Sequence, residues 1–173
     1  MSQTWVEVLQ ESIPEYAKDV RLNLDAVINR STGINPDDAM YISLACSVAS
    51  GNPKLTAFIA QYATDETDRT AALTAGALMA QNNTWYPFLE MVGDPALTGL
   101  PAQLRMNAMA NHGGTEKTKF EGYSLAASII GKCPDCVKSH YESLKQLGYQ
   151  VHQLRDIGRI AATINAVSKV LAN

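Results

Sequence analysis

Cysteine is scarce in this chain: Cys46, Cys133 and Cys136 are the only three in 173 residues. Just two of them are close in sequence, which rules out the dense disulfide framework of a small secreted domain. Charge is sparse too, with Asp, Glu, Lys and Arg at 18% and a formal net charge of -3. No basic tract occurs, so there is no electrostatic footprint for nucleic acid. A long purely apolar run is also missing. The longest uncharged stretch, Thr70 to Leu89, contains Gln81, Asn82 and Asn83 in succession, which would be costly in lipid. A buried helix is the better reading, and no membrane partner is expected. Met1 to Glu11 lacks the positive head and apolar run of a secretory signal. A cytoplasmic location follows as the expectation, and there paired thiols are more often catalytic than structural.

What is present is apolar and helical. Hydrophobic residues make up 46% of the chain, enough at this length for one domain with a real core and a surface apolar enough for subunit association. Trp5, Val6, Leu9 and Ile13 recur at helical spacing, followed after Pro14 by Val20, Leu22, Leu24, Val27 and Ile28. Asn35-Pro36-Asp37-Asp38 reads as a cap, a first-turn proline and first-turn carboxylates, opening a helix to about Ser50. Asn52-Pro53 repeats the signal for a helix to about Ala63. Asp65-Glu66 opens a long helix through residue 83, with a break expected near Pro87. Gly93-Asp94-Pro95 and Gly99-Leu100-Pro101 frame a loop, a helix follows to about Ala110, and Asn111-His112-Gly113-Gly114 is a turn. Thr115 is expected to cap the next helix, and the last begins near Val151. Alternating strand and helix segments, which a thioredoxin-type sheet needs, do not occur. The fold class is all-α: a single-domain helical bundle over residues 1–173.

An internal repeat adds to this. Ser43-Leu44-Ala45-Cys46-Ser47 through Asn52-Pro53 aligns with Ser124-Leu125-Ala126-Ala127-Ser128 through Cys133-Pro134. Each copy reads as an apolar helix, a short turn and a proline-started helix. The degenerate repeat covers about 36–92 and the site-bearing repeat about 115–173. Where the second copy has Glu121, Cys133, Cys136 and His140, the first has Met40, Asn52, Leu55 and Ile59. The fold element is duplicated and the chemical groups are not.

Those groups define the candidate site. In Cys133-Pro134-Asp135-Cys136-Val137-Lys138-Ser139-His140, the proline fits the first helical position, where its missing N–H costs nothing. Cys133 is then the cap, Cys136 lies in the first turn, and His140 is one turn further on the same face. Two thiols so spaced can close a disulfide, and a helix start favours a thiolate. Imidazole titrates near neutrality and can take a thiol proton. The competing reading is a structural zinc site. That needs four ligands, and beyond the two thiols and His140 the fourth would be Glu121, Cys46 or a distant histidine. Read alone, Glu121 is an exposed helix residue or a partly buried carboxylate that needs a partner. Cys46 reads as a small core residue, and His112 and His152 as solvated. Asn82 and Asn83, with Trp85 and Tyr86, read as packing or helix-end residues, with a pocket lining as the other use. Lys132 and Lys138 bring positive charge near the thiols.

Glu121, Cys133-x-x-Cys136 and His140 together resemble the alkyl hydroperoxidase D family, within the wider carboxymuconolactone decarboxylase-like group. Leu104-Arg105-Met106-Asn107-Ala108-Met109-Ala110-Asn111, Gly113-Gly114, Ser124-Leu125-Ala126 and the stretch Met79 to Tyr86 carry the resemblance further. It implies a thiol peroxidase acting on organic hydroperoxides or hydrogen peroxide. In it Glu121 orients His140, His140 deprotonates Cys136, and Cys136 attacks the peroxide. Cys133, expected to be the more exposed thiol, protonates the leaving alcohol and closes the disulfide. The resemblance also implies no bound cofactor and no metal. It implies an external dithiol such as a lipoylated protein, a partner peroxiredoxin and a homotrimer. Many members carry a histidine between the cysteines where this chain has Asp135, whose carboxylate opposes thiolate formation beside it. A redox-sensing interaction module and a zinc-stabilised structural domain are the alternatives from other classes. A decarboxylase is the further enzymatic one.

Overall fold

Most helix starts in this chain announce themselves through a side chain that takes a backbone N–H. The computed structural model describes residues 3–173. Met1 and Ser2, the start of the segment read for a secretory leader, lie outside the described residues. Helix α1 (Trp5–Glu11) begins with a reciprocal capping box between Thr4 and Glu7. A short 3-10 turn then leads into α2 (Lys18–Ile28). Helix α3 (Pro36–Ala49) is capped by Asn35, whose Oδ1 accepts the Asp38 N–H at 2.8 Å. Asn52 does the same for α4 (Pro53–Ala60), and Asp65 for α5 (Glu66–Val92). Two single-turn helices follow, α6 (Pro95–Thr98) and α7 (Ala108–Asn111). Then come α8 (Lys117–Gly131), α9 (Pro134–Gln146) and α10 (Val151–Leu171). Among the described residues there is no strand, and no helix is long and apolar enough to cross a membrane. The structure is all-α.

Helices α3 and α8 are the central pair. Residues 39–47 of one and 120–128 of the other are buried without interruption, the expected fate of a helix that is apolar all round. They pack on each other, and α5 and α10 pack on both. Helix α4 lies on α3, α9 on α8, and α2 with α1 closes the α10 side. Small residues allow the close crossings. A Cβ on Gly76 of α5 would come within 2.7 Å of the Val48 side chain on α3.

Asp156 fastens the α2–α3 loop onto α10. Its carboxylate is fully buried and accepts Ser31 Oγ–H at 2.5 Å, Gly33 N–H at 3.1 Å, and the Arg155 and Arg159 guanidinium groups. Burial alone would raise this carboxyl, but the hydrogen bonds from Ser31, Arg155, Arg159 and Gly33 outweigh it and hold it down at about 2. Gly33 is needed there, since a Cβ would sit 2.6 Å from Asp156 Oδ2.

Several expectations are corrected. Helix α5 runs through Pro87 instead of breaking there. The helix is leaving the core there: residues 83–92 are half-buried or exposed, so the turn that loses the Pro87 N–H is not fully buried. Thr115 does not cap α8. Glu116 holds that position, and the Thr115 hydroxyl donates to Asp68 on α5. Helix α4 stops at Ala60, and the helix expected up to Ala110 shrinks to the single turn α7. The loop framed by the two Gly–Pro segments contains the turn α6. Leu22 is 56% exposed, on the outer face of α2, whereas Leu24, Val27 and Ile28 are buried.

Candidate active site

The backbone that carries the site is a tight turn. Lys132 adopts a left-handed conformation (φ 55°) between α8 and α9, and Cys133 follows in extended geometry as the N-cap. Pro134 occupies the first turn, and Cys133 Sγ accepts the Cys136 N–H at 3.2 Å. The two cysteines are joined as a disulfide, with Cα atoms 5.3 Å apart.

One turn along α9, His140 reaches back to α8. Its Nδ1 lies 2.7 Å from Glu121 Oε2, with both residues only 6% exposed. A carboxylate only accepts, so Nδ1 donates and the Nε2 lone pair is left to take a proton. Glu121 is therefore neither an exposed helix residue nor unpartnered, and no water is needed to link it to the imidazole.

A cavity of about 320 Å³ opens beside the disulfide. Cys136, Ser139 and His140 form its α9 wall, with Asp135 at the edge. Asn82 and Tyr86 contribute from α5, and Met106 and Met109 from the segment around α7. Of the Asn-Asn-Thr-Trp-Tyr stretch, Asn82 and Tyr86 thus line the pocket. Asn83 turns the other way and donates Nδ2–H to the Ala127 carbonyl at 3.1 Å. Gly131 leaves the space that Asn83 fills, since a Cβ there would collide with its amide. The loop methionines carry no chemical motif, and only the folded chain brings them to the thiols.

The expected exposure of the two thiols is reversed. Cys133 is completely buried, while Cys136 keeps 6% of its surface and faces the cavity. The cap position turns the first sulfur inward under the helix start, and the next turn brings the second out. The remaining candidates lie elsewhere. Cys46 is a free thiol in the core, pushed up by burial. His152 is exposed, and His112 is half-buried against the Phe120 ring. Lys132 and Lys138 are exposed.

Two further features bear on the chemistry. Among the described residues, no group of three or more His, Cys, Asp or Glu side chains converges for a metal ion. Six buried side-chain polar atoms there lack a hydrogen-bond partner, and all belong to two helices beside the site: Gln81, Asn82 and Asn83 on α5, and Tyr123, Ser124 and Ser128 on α8. A larger cavity of about 530 Å³ lies among α1, α3 and the start of α5 and is lined by no thiol or imidazole. It holds the Asp68–Lys119 pair at 2.5 Å. Burial would raise Asp68, but its bonds to Lys119 and Thr115 leave it below the usual carboxylate range.

Comparison with known proteins decides the family. Alkyl hydroperoxide reductase AhpD of Bradyrhizobium sp. is 39% identical over 94% of this chain and 91% of its own length. The chain belongs to the AhpD family. AhpD of Maricaulis maris is 40% identical over 96% of this chain and 97% of its own, and that of Coxiella burnetii 36% over 95% and 96%. Residues 95–172 also match the Carboxymuconolactone decarboxylase family. The matched segment runs from the start of α6 to just past the end of α10 and includes all four candidate residues.

Proposed function

We propose that this chain is an antioxidant thiol peroxidase that reduces organic hydroperoxides through a Cys133–Cys136 dithiol/disulfide cycle. The observation that carries the reading is Cys136 on a cavity wall beside His140, with His140 held by Glu121 at 2.7 Å. The AhpD relatives, named as alkyl hydroperoxide reductases, support the substrate class.

In the reduced protein, Glu121 fixes the imidazole and Nε2 takes the Cys136 proton. The thiolate attacks the terminal peroxide oxygen, the O–O bond breaks, and the sulfur becomes a sulfenic acid. The alkoxide released takes the proton from His140 and leaves as the alcohol. Cys133, without cavity surface, does not serve as the acid. Its sulfur then attacks the sulfenic acid, giving the disulfide and water. Reduction follows by exchange with an external dithiol, for which a lipoyl group on a protein is the proposed donor. The incoming thiolate attacks Cys136, the sulfur that meets the cavity. Cys133 leaves as a thiolate that the Cys136 N–H and the α9 terminus stabilise. Regeneration of a partner peroxiredoxin by the same dithiol, and assembly as a homotrimer, belong to this proposal. So does the view of the chain as one domain, with a degenerate repeat over 36–92 and the working repeat over 115–173.

The test is peroxide turnover with a lipoyl dithiol supplied, with mass spectrometry before and after oxidation. Turnover with a Cys133–Cys136 bond and reduced Cys46 is expected. A disulfide that forms without turnover makes the chain a redox sensor instead. Stoichiometric zinc across the pair makes it a structural module.

A further inference from the structure

Asn82 is a polar residue with nothing to hold. It is 6% exposed, lies on the cavity wall with Cys136 and His140, and its Oδ1 is buried without a hydrogen-bond partner. Its neighbour Asn83 also has an orphaned Oδ1, but its Nδ2 is tied to the Ala127 carbonyl of α8 at 3.1 Å and it does not line the cavity, whereas Asn82 does. An orphaned buried carbonyl oxygen is destabilising and calls for an explanation, of which a catalytic or ligand-binding role is one. Of the six unpartnered atoms, the one on Asn82 belongs to a residue that lines the cavity with the thiol.

The chemistry of the proposed substrate fits that orphan. A hydroperoxide has an O–H donor on its terminal oxygen, the atom a thiolate attacks, and lone pairs on its inner oxygen, which becomes the alkoxide. A carboxamide offers the complementary pair, an accepting Oδ1 and a donating Nδ2. It is neutral, so it does not repel the thiolate as a carboxylate would. Donation to the inner oxygen grows stronger as charge develops there, the arrangement that accelerates a bond cleavage. The rest of the wall suits the organic group: Tyr86, Met106 and Met109 form an adaptable, largely apolar surface in a cavity of about 320 Å³.

We propose that Asn82 binds the hydroperoxide group, accepting from its terminal O–H and donating to its inner oxygen, with the alkyl group against Met106 and Met109. This inference rests on the peroxide-reducing reading of the site. In the step it serves, the Cys136 thiolate gives two electrons to the terminal oxygen, an S–O bond forms and the O–O bond breaks. The alkoxide is then protonated to the alcohol.

The experiment uses the full-length reduced protein, with Asn82→Leu and Asn82→Ser as variants and thermal unfolding as the check on folding. Two rates are measured for each: oxidation of Cys136 by cumene hydroperoxide in a single turnover, and alkylation of Cys136 by iodoacetamide. The peroxide rate is expected to fall about a hundredfold, the scale for losing a donor to a developing oxyanion. The alkylation rate should stay at the wild-type value. Peroxide rates equal to wild type overturn the inference. So does a parallel loss of both rates, which would make Asn82 a support for the thiol instead of the peroxide. If the leucine variant does not fold, the serine variant decides. Wild-type protein that oxidises no faster than free thiol overturns the peroxidase reading itself, and the Asn82 assignment falls with it.

Discussion

The α3–α4 unit and the α8–α9 unit have nearly the same backbone and opposite contents. Each turns through a left-handed residue, Gly51 at φ 72° and Lys132 at φ 55°. Each donates the next N–H back into the first helix, Asn52 to Ser47 O and Cys133 to Ser128 O, both at 3.4 Å. Asn52 Oδ1 takes the Leu55 N–H at 3.0 Å, and Cys133 Sγ takes the Cys136 N–H at 3.2 Å. Where α9 continues with Cys136 and His140, α4 continues with Leu55 and Ile59, both buried core. The serines diverge as well. Ser43 and Ser47 donate to the Ala39 and Leu44 carbonyls at 2.7 Å, while Ser124 and Ser128 at the matching places have no partner. The turn therefore needs only a small acceptor at the cap and filled space one and two turns on. The thiols, imidazole and carboxylate are an occupancy added to a frame that is complete without them. The unit that carries them leaves buried hydroxyls unpaired, each at a cost of about 1–3 kcal/mol.

Changes at matched positions can break this contrast. Cys136→Ser should drop peroxide reduction to background with the helices intact. Its counterpart change, Leu55→Ala, should cost about 2–5 kcal/mol of stability and leave the rate of the folded protein unaltered. Turnover assays with denaturant melts read both. Next in size, His140→Phe should slow Cys136 oxidation about a hundredfold near neutral pH. The deficit should shrink as pH rises through the thiol pKa, where solvent supplies the thiolate. Loss of equal size at every pH would place His140 outside proton transfer.

Outside both units, Asp156→Asn should cost about 2–3 kcal/mol at neutral pH, because the folded carboxyl sits at about 2 and the unfolded one near 4. A depressed carboxyl stabilises above its unfolded value and loses that contribution as pH falls toward the folded one. The wild-type advantage in urea melts should thus fade between about pH 4 and 2, with no change in peroxide rate. The smallest effect expected is at the caps. Asn52→Ala should cost about 1 kcal/mol. Cys133→Asn should keep α9, since Asn52 already fills that role in α4, while a dimedone-type probe finds a lasting sulfenic acid on Cys136.

Legibility in the sequence followed the range of the interaction. Asn35, Asn52, Asp65 and Cys133 cap their helices as their spacing predicts, because a cap is a bond across three residues. The placing of Cys133, Cys136 and His140 along α9 was legible for the same reason. Thr115 was misread because its partner, Asp68, is on another helix. Pro87 was misread because its cost depends on whether the surrounding helix is buried. The burial of Cys133 beneath the more open Cys136, the inward turn of Asn82, and the arrival of Met106 and Met109 at the cavity all come from packing between distant segments. No periodicity records them.

The sulfur at the head of α9 has an electrochemical consequence that the amide at the head of α4 does not. An N–H held 3.2 Å from Cys133 Sγ, reinforced by the dipole of a 13-residue helix, favours the anion that exists only after the bond to Cys136 opens. Whatever favours the opened form raises the midpoint potential of the couple. The fold itself thus pulls electrons toward the pair, and a potential above that of an unstructured Cys-x-x-Cys peptide is expected in titration against a dithiol buffer.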